Sequence, residues 1–389
     1  MDNFKVLIDA NKLACKLAPL VSIADAKSPI LAMRLIKVSV RSGLISLTAS
    51  NPQTYAVSEV IAKTEGECEF LIDGKKFYTL LSKCGEAPLE ITNSAKAESA
   101  LNISWSRGAY QIAVADANDY PQLPQSPTNR DTDVSIPIDT FMSALNSVKN
   151  AASKGDFRPQ FNGVHFSAQD NALRVCATDT RIAARYVTNI DGLCTLSAEN
   201  KIEYLIDVQQ LNEIIAVIKS FDDLSLLSIQ QREDKKAAIS LLRDSMTIAA
   251  KICVSQIEGS YPDIDRVFPQ SVGINSTASV SEWKATITRL ATISDAETPI
   301  IVLTTSEGKS ELSLHDTNAQ TLGAENLNEC SNNGNIRIGF SSGVLLNALS
   351  MVSGNINLGL NEAARPMMIM PEEDKPFDLS ILVMPVTIS

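Results

Sequence analysis

Apolar residues recur along this chain with two periods, and the order in which the periods alternate repeats itself. The stretch FNGVHFSAQDNALRVCATDTRIAARY, residues 161–186, places Val164 and Phe166, then Leu173, Val175 and Ala177, at every second position. That alternation predicts two half-buried strands. Gln169, Asp170 and Asn171 supply the turn between them. Ala177-Thr178-Asp179-Thr180-Arg181 interrupts the apolar run, and Ile182 to Tyr186 resumes it. Residues 30–60, ILAMRLIKVSVRSGLISLTASNPQTYAVSEV, have the same form, and residues 299–327, PIIVLTTSEGKSELSLHDTNAQTLGAENL, are a weaker third copy. Asn51, Asp179 and Asn318 hold the same place in the three copies. A spacing of roughly 130 to 140 residues is the size of a domain and too long for a solenoid repeat.

Helical spacing falls between these strands. Lys5 to Ile8 reads as a strand, Asp9 as an N-cap, and Leu13, Leu17 and Leu20 as one helix face that Pro19 bends or ends. Asp73-Gly74-Lys75-Lys76 opens a second helix with Phe77, Leu80, Leu81 and Cys84 inward. Strands follow at 89–91, 101–105 and 110–114, and Asp119 to Pro124 closes the unit before a polar linker, 125–133. The second unit repeats the order. Val134 to Ile138 is a strand, Phe141, Leu145 and Val148 mark a helix, and Tyr204 to Asp207 feeds a helix as Phe70 to Asp73 does. Ser260 to Pro269 closes it. The third unit carries helices at Trp283, Ile287, Leu290 and at Leu345, Leu346, Leu349, and a last strand over 379–388. The expectation is an α+β chain of three tandem repeats, each with two helices on an antiparallel sheet, spanning 1–128, 129–269 and 270–389.

A chain of 389 residues suits two or three domains. Hydrophobic content of 44% with 20% charged residues is ordinary for a globular protein. No apolar run approaches the roughly 18 residues of a membrane span, and the start has no signal-peptide core, so a cytoplasmic protein is expected. The seven cysteines form no CxxC pair and read as buried free thiols. A net charge of −11 argues against a surface that binds nucleic acid throughout, but allows a local basic lining.

The residues predict no catalysis, metal site or cofactor. His165 and His315 lie in strand contexts and read as strand residues rather than ligands or bases. Gly308-Lys309-Ser310 looks like the end of a phosphate loop, but Leu303 stands where that motif needs glycine. Acidic pairs such as Asp222-Asp223 fall in loops and read as solvated turns.

Several motifs in one order resemble the bacterial DNA polymerase III sliding clamp family, the β subunit. They are FNGVHF…LRVCATDTR at 161–181, EGSYPDIDRVFP at 258–269 and VMPV at 383–386, supported by SPILAMRLIKV, ISLTASN and DYPQLP. The resemblance implies a DNA processivity factor of replication: a homodimeric ring that encircles duplex DNA, in the cytoplasm with the nucleoid. It implies that the ring tethers the replicative polymerase, clamp loader and repair proteins through short linear peptides. A tether held by topology needs few phosphate contacts, and tight ones would hinder sliding. An alternative keeps the fold and changes the role, as a divergent clamp of the mobile-element kind that competes for host partners.

Carried over motif by motif, the resemblance implies a peptide pocket of Phe161, Thr178, Arg181, Ile182, Pro262, Arg266, Val267, Pro366, Met367, Met384, Pro385 and Val386. It implies DNA-facing cations at Lys12, Lys16, Lys27, Lys76, Lys83, Lys149, Arg158 and Lys284. It implies a dimer seam at Tyr110, Ile112 and Ile293. Three departures stand out. The 177–181 turn is one residue shorter than the family's and has no histidine, the chain ends Val386-Thr387-Ile388-Ser389 without a basic residue, and Val208-Gln209-Gln210 replaces a basic helix start. The first two border the pocket and predict an altered peptide preference.

Overall fold

The computed structural model describes residues 3–24, 27–94, 99–121, 134–169, 171–190, 202–232, 236–306, 308–316, 321–328 and 330–388. The expected linker 125–133, residues 122–124 of the first closing loop, Asp170, Cys194 and Asn318 lie outside them.

The first repeat contains β1 (Lys5–Asp9), α1 (Ala10–Ile23), β2 (Ile36–Arg41), β3 (Leu44–Ser50), β4 (Thr54–Ile61), β5 (Lys63–Glu65), β6 (Cys68–Ile72), α2 (Gly74–Cys84), β7 (Pro88–Asn93), β8 (Ala100–Trp105) and β9 (Gly108–Ala115). The second contains β10 (Val134–Pro137), α3 (Ile138–Val148), β11 (Gly163–Gln169), β12 (Ala172–Thr178), β13 (Ile182–Asn189), β14 (Ile202–Asp207), α4 (Val208–Ile218), β15 (Leu224–Gln231), β16 (Lys236–Arg243) and β17 (Ile248–Ser255). The third contains β18 (Ile274–Ser279), α5 (Val280–Thr292), β19 (Ile300–Ser306), β20 (Lys309–Asp316), β21 (Thr321–Leu327), β22 (Cys330–Asn332), β23 (Ile336–Ser341), α6 (Ser342–Leu349), β24 (Asn355–Leu360), β25 (Met367–Pro371) and β26 (Phe377–Val383).

Strand pairing shows the repeat more clearly than the residues do. One four-strand row reads β6-β2-β3-β4, then β14-β11-β12-β13, then β23-β19-β20-β21. The other reads β1-β7-β8-β9, then β10-β15-β16-β17, then β18-β24-β25-β26. The third copy follows the same connectivity although its sequence has drifted, because topology depends on the apolar period and not on individual side chains.

Contacts divide the chain into two compact bodies. The first comprises the described parts of Met1–Phe141 and Gln209–Gln256. Its thirteen-stranded sheet joins β4 of the first repeat to β17 of the second, from Thr54 opposite Val254 to Ser58 opposite Ala250. Asp9 and Asp73 cap α1 and α2, each accepting a 3.0 Å bond from the backbone N–H three residues on, Lys12 and Lys76. Helix α1 runs through Pro19 to Ile23 and does not stop there. Leu13, Leu17, Leu20 and Ile23 are all at most 1% exposed, and their burial outweighs the bond the proline ring removes.

The second body comprises the described parts of Met142–Gly192, Leu196–Val208 and Ile257–Ser389. It holds a nine-stranded and a four-stranded sheet. Here β13 pairs with β26 from Ile182 opposite Val383 to Thr188 opposite Phe377, so strands of the second and third repeats share one sheet across residue 269. Strand β26 ends at Val383, short of the expected 388. Pro385 has no N–H to continue a ladder. Instead the Met384 N–H donates to the Arg181 carbonyl at 2.9 Å, and the Val386 N–H to that of Gly339 in the four-stranded sheet at 2.8 Å.

The cysteine expectation holds in part. Cys176 and Cys253 are buried and Cys68 and Cys84 half-buried, but Cys15 is exposed. Residues 13, 14, 17 and 20 form the buried stripe of α1, and at 100° per residue position 15 falls away from it. Among the described residues, no helix is long and apolar enough to cross a membrane.

Candidate partner-binding and nucleic-acid-facing sites

The residues expected to line a peptide pocket lie in the second body, and those on β13, β25 and the end of β26 meet beside the β12–β13 turn. Ile182, Val383 and Met367 stand opposite one another on β13, β26 and β25, so their side chains form one row. All three are at most 1% exposed and make a floor rather than a surface. Asp179 shapes the turn by accepting from the Arg181 N–H at 2.8 Å and the Ile182 N–H at 2.7 Å. Asn51 accepts likewise from Gln53 and Thr54 in the first body, at 2.9 and 2.7 Å. The repeat detected in sequence is therefore a repeat of one side-chain-closed turn. In the shortened turn, Thr180 adopts a φ of 76°, a left-handed conformation rarely held by a β-branched residue. The Thr178 hydroxyl donates to the Ile182 carbonyl at 2.6 Å and closes the turn from inside.

The segment carrying Pro262, Arg266 and Val267 packs on the opposite face of that sheet. Ile264 and Phe268 enter a cluster with Cys176, Ala183 and Leu382, and Tyr261 and Met368 border it. Burying two such side chains contributes about 3–6 kcal/mol. Asp265 receives Arg174 and Arg185, the latter at 2.9 Å, and the Arg185 guanidinium lies 4.2 Å from the Phe268 ring centroid. Burial pushes the Cys176 thiol up to about 12, so it packs as an apolar side chain. His165 stacks flat on Tyr261 at 4.8 Å, a structural role as expected for a strand histidine. With the inner side of the segment anchored, Pro262, Arg266 and Val267 remain exposed, Val267 at 53%. Arg266 pairs with Asp263 at 3.0 Å. Met384 is 43% exposed, Pro385, Val386 and Pro366 are half-buried, and Arg181 is exposed.

Phe161 leads into β11 and is only 8% exposed. Arg158, expected among the DNA-facing cations, covers it with its guanidinium 4.4 Å from the ring centroid. Asp156 holds that guanidinium by two 3.1 Å bonds. Neither Asp156 nor the neighbouring Phe157 was found from the sequence, because an acid and a phenylalanine in a loop carry no periodic signal.

The remaining cations divide by body. In the first, Lys12 and Lys16 lie on α1, and Lys76 and Lys83 on α2, which packs beside it. Lys12 donates to the Ile61 carbonyl at 3.2 Å yet stays exposed, and Lys76 is 3.4 Å from Asp73. Lys83 and Lys27 are exposed. Lys16 differs. It donates to the Ser220 carbonyl and sits over the Phe221 ring, and burial lowers its pKa. Gln210, at the helix start that departs from the basic residues the resemblance implies, is 3% exposed and donates to the Gln53 carbonyl at 3.1 Å, so it packs inward. In the second body, Lys149 and Lys284 are half-buried, on the turn after α3 and on α5.

The seam residues lie at sheet edges. Tyr110 is 44% exposed and Ile112 half-buried on β9. Residues 108–113 of that strand pair with β8 on one side, and only Val114 and Ala115 pair with β6 on the other. Ile293 is 43% exposed at the end of α5, beside β21, which among the described residues pairs with β20 alone. A Cβ at Gly323 of β21 would come 2.8 Å from the Ile293 Cδ1 and 2.9 Å from the Leu290 Cδ2, so a larger residue there would require those side-chain ends to shift.

This architecture, three repeats of paired four-strand rows and two helices, is the fold of a DNA sliding clamp. The sliding clamp (DNA polymerase III subunit beta) of Pseudomonas aeruginosa, solved bound to griselimycin, superposes with a TM-score of 0.87 at 16% identity over 100% of both chains. The DNA polymerase sliding clamp of Bacillus subtilis gives 0.84 at 20% identity over 100% of both. The Beta sliding clamp of Staphylococcus epidermidis is 22% identical over 347 residues, 88% of this chain and 86% of its own length. Residues 265–387 match the family model described as DNA polymerase III beta subunit, C-terminal domain. The chain thus shares the fold of the DNA polymerase III beta sliding clamps and is similar to them in sequence, most specifically over residues 265–387, which match the C-terminal domain.

Proposed function

We propose that two copies of this chain close head to tail into a ring around duplex DNA and tether the replicative polymerase, clamp loader and repair proteins to it. Each copy contributes three domains, 1–128, 129–269 and 270–389. The observation that carries this reading is an incomplete pattern of edge pairing. The final strand of one row joins the final strand of the other at β4–β17 and again at β13–β26. Among the described residues, the same rule leaves most of β9 and all of β21 with an open edge each. A second copy satisfies both at once, through a heterologous contact that closes after two joins. Tyr110 and Ile112 on β9 and Ile293 beside β21 are the apolar residues of that contact. It also covers edges that would otherwise invite aggregation.

The ring holds DNA by topology and performs no catalysis. Lys12, Lys27, Lys76 and Lys83, with Lys149 and Lys284, supply a weak, sequence-independent attraction compatible with sliding. Lys16 serves packing instead. Partner peptides occupy the pocket around Ile182, Met367 and Met384, with the exposed Val267 and Met384 as adaptable contacts. The shortened 177–181 turn supports the alternative of a competing clamp only if those peptides bind without stimulating synthesis. The test is sedimentation of the chain, 42.0 kDa as a monomer, against Ile112→Asp and Ile293→Asp. The expected result is a dimer that each folded variant converts to monomer. Dimers that persist in both variants would place the seam elsewhere.

A further inference from the structure

Phe157 is the most exposed large apolar side chain among the described residues, at 88%. Its loop is tightly held. The Asp156 N–H donates to the Asn162 side-chain carbonyl at 2.8 Å, and the Asn162 amide returns a 2.9 Å bond to the Asp156 carbonyl. The Arg158 N–H donates to Asp156 at 2.8 Å, and the Ser153 N–H to the Phe161 carbonyl at 2.7 Å. A phenyl ring on a clasped loop is pre-organised, so a ligand that meets it loses little further chain entropy. Arg158 links this ring to the pocket wall, with its guanidinium 5.2 Å from the Phe157 centroid and 4.4 Å from that of Phe161.

We propose that Phe157 is a specificity residue of the partner pocket and receives an aromatic or large aliphatic side chain that flanks the segment seated against Phe161 and Met384. This rests on the reading of that pocket as a peptide site. Two observations favour a peptide over an unpaired nucleic-acid base, which could also stack on an exposed ring. The Arg158 charge is already matched by both oxygens of Asp156, so a phosphate here would face a carboxylate. The pocket segments also present exposed apolar side chains, Val267 and Met384, and their exposed arginines, Arg181 and Arg266, each face an aspartate, Asp179 and Asp263.

The test is fluorescence anisotropy of the full chain with a labelled synthetic peptide from a polymerase clamp-binding segment, and with versions whose apolar residues are replaced by serine one at a time. A chain lacking residues 384–389 serves as the control for the pocket itself. We expect that the parent peptide binds, that the control loses it, and that Phe157→Ala weakens it about tenfold. One serine version should bind the parent chain about tenfold more weakly and lose nothing further in Phe157→Ala. Equal binding by Phe157→Ala and the parent chain, with binding lost in the control, would overturn the role of Phe157 alone. A Phe157→Ala defect confined to labelled oligothymidylate would replace the peptide by nucleic acid. If the parent chain binds no peptide, the pocket reading falls and this role with it.

Discussion

Asp179→Ala tests whether one side chain holds the turn on which the pocket is built. Its Oδ1 accepts from two backbone N–H groups, at 2.8 and 2.7 Å. Arg181 is exposed, so its amide can turn to water at small cost. Ile182 is 1% exposed, and its amide would be left buried without a partner, a cost of about 1–3 kcal/mol. Adding about 1 kcal/mol for the first bond gives about 2–4 kcal/mol, a large part of the roughly 5–15 kcal/mol that holds a typical domain together. Asp179→Asn keeps an acceptor and should cost about 1 kcal/mol. A chain of two bodies need not unfold in one step, so the readout is hydrogen exchange of the β12 and β13 amides. At 1.36 kcal/mol per tenfold, protection should fall roughly a hundredfold in the alanine variant and under tenfold in the asparagine variant. Peptide affinity should fall with it, since Thr178, Arg181 and Ile182 are carried by the same turn. If protection in the alanine variant stays within about twofold of the parent, the turn does not depend on this carboxylate.

Two further outcomes follow from charge and burial. Glu325 is held below the ordinary carboxylate range, chiefly by its bonds to Arg289, so the pair's stabilisation is present near neutral pH and is lost as pH falls through that lowered value. Both groups are partly exposed, so solvent screening keeps the effect small. Glu325→Gln should melt slightly below the parent at pH 7, with the gap narrowing as the pH falls through the lowered value, and a gap that widens in acid would refute the sign. Separately, the exposed Cys15 should react quickly with a thiol reagent and Cys176 only on unfolding, so Cys15→Ser should remove one thiol from the fast reaction. Loss of that phase in Cys176→Ser instead would contradict the burial described.

The fold was legible because its signal is periodic. Strand alternation and helix spacing located the helices and most strands of the first two repeats, but not β18, β24 or β25 of the third, and the Asn51 and Asp179 turns marked the repeat. What the sequence concealed depends on long-range partners. Nothing local indicates that Pro19 would sit inside a helix, since the core beneath it decides. Nor does it indicate that residues 384–386 leave the sheet to bond Arg181 and Gly339. The site was half legible for the same reason. Motifs named Ile182, Met367 and Met384, and the structure gathers them. Lys16 reads from the sequence as a DNA-facing cation, yet Ser220 and Phe221, distant in sequence, engage it. Arg158 looked like a phosphate contact until Asp156 and Phe161 claimed its guanidinium.

The central claim is topological, and retention on circular DNA tests it most directly. The chain would be placed on a nicked circular plasmid by a clamp loader with ATP and passed through a sizing column, before and after the plasmid is cut once. The account predicts that the chain travels with the circle even at raised salt and is lost when the DNA is linearised. A chain that stays on linear DNA, or leaves the circle as salt rises, would be held by contacts rather than by a ring.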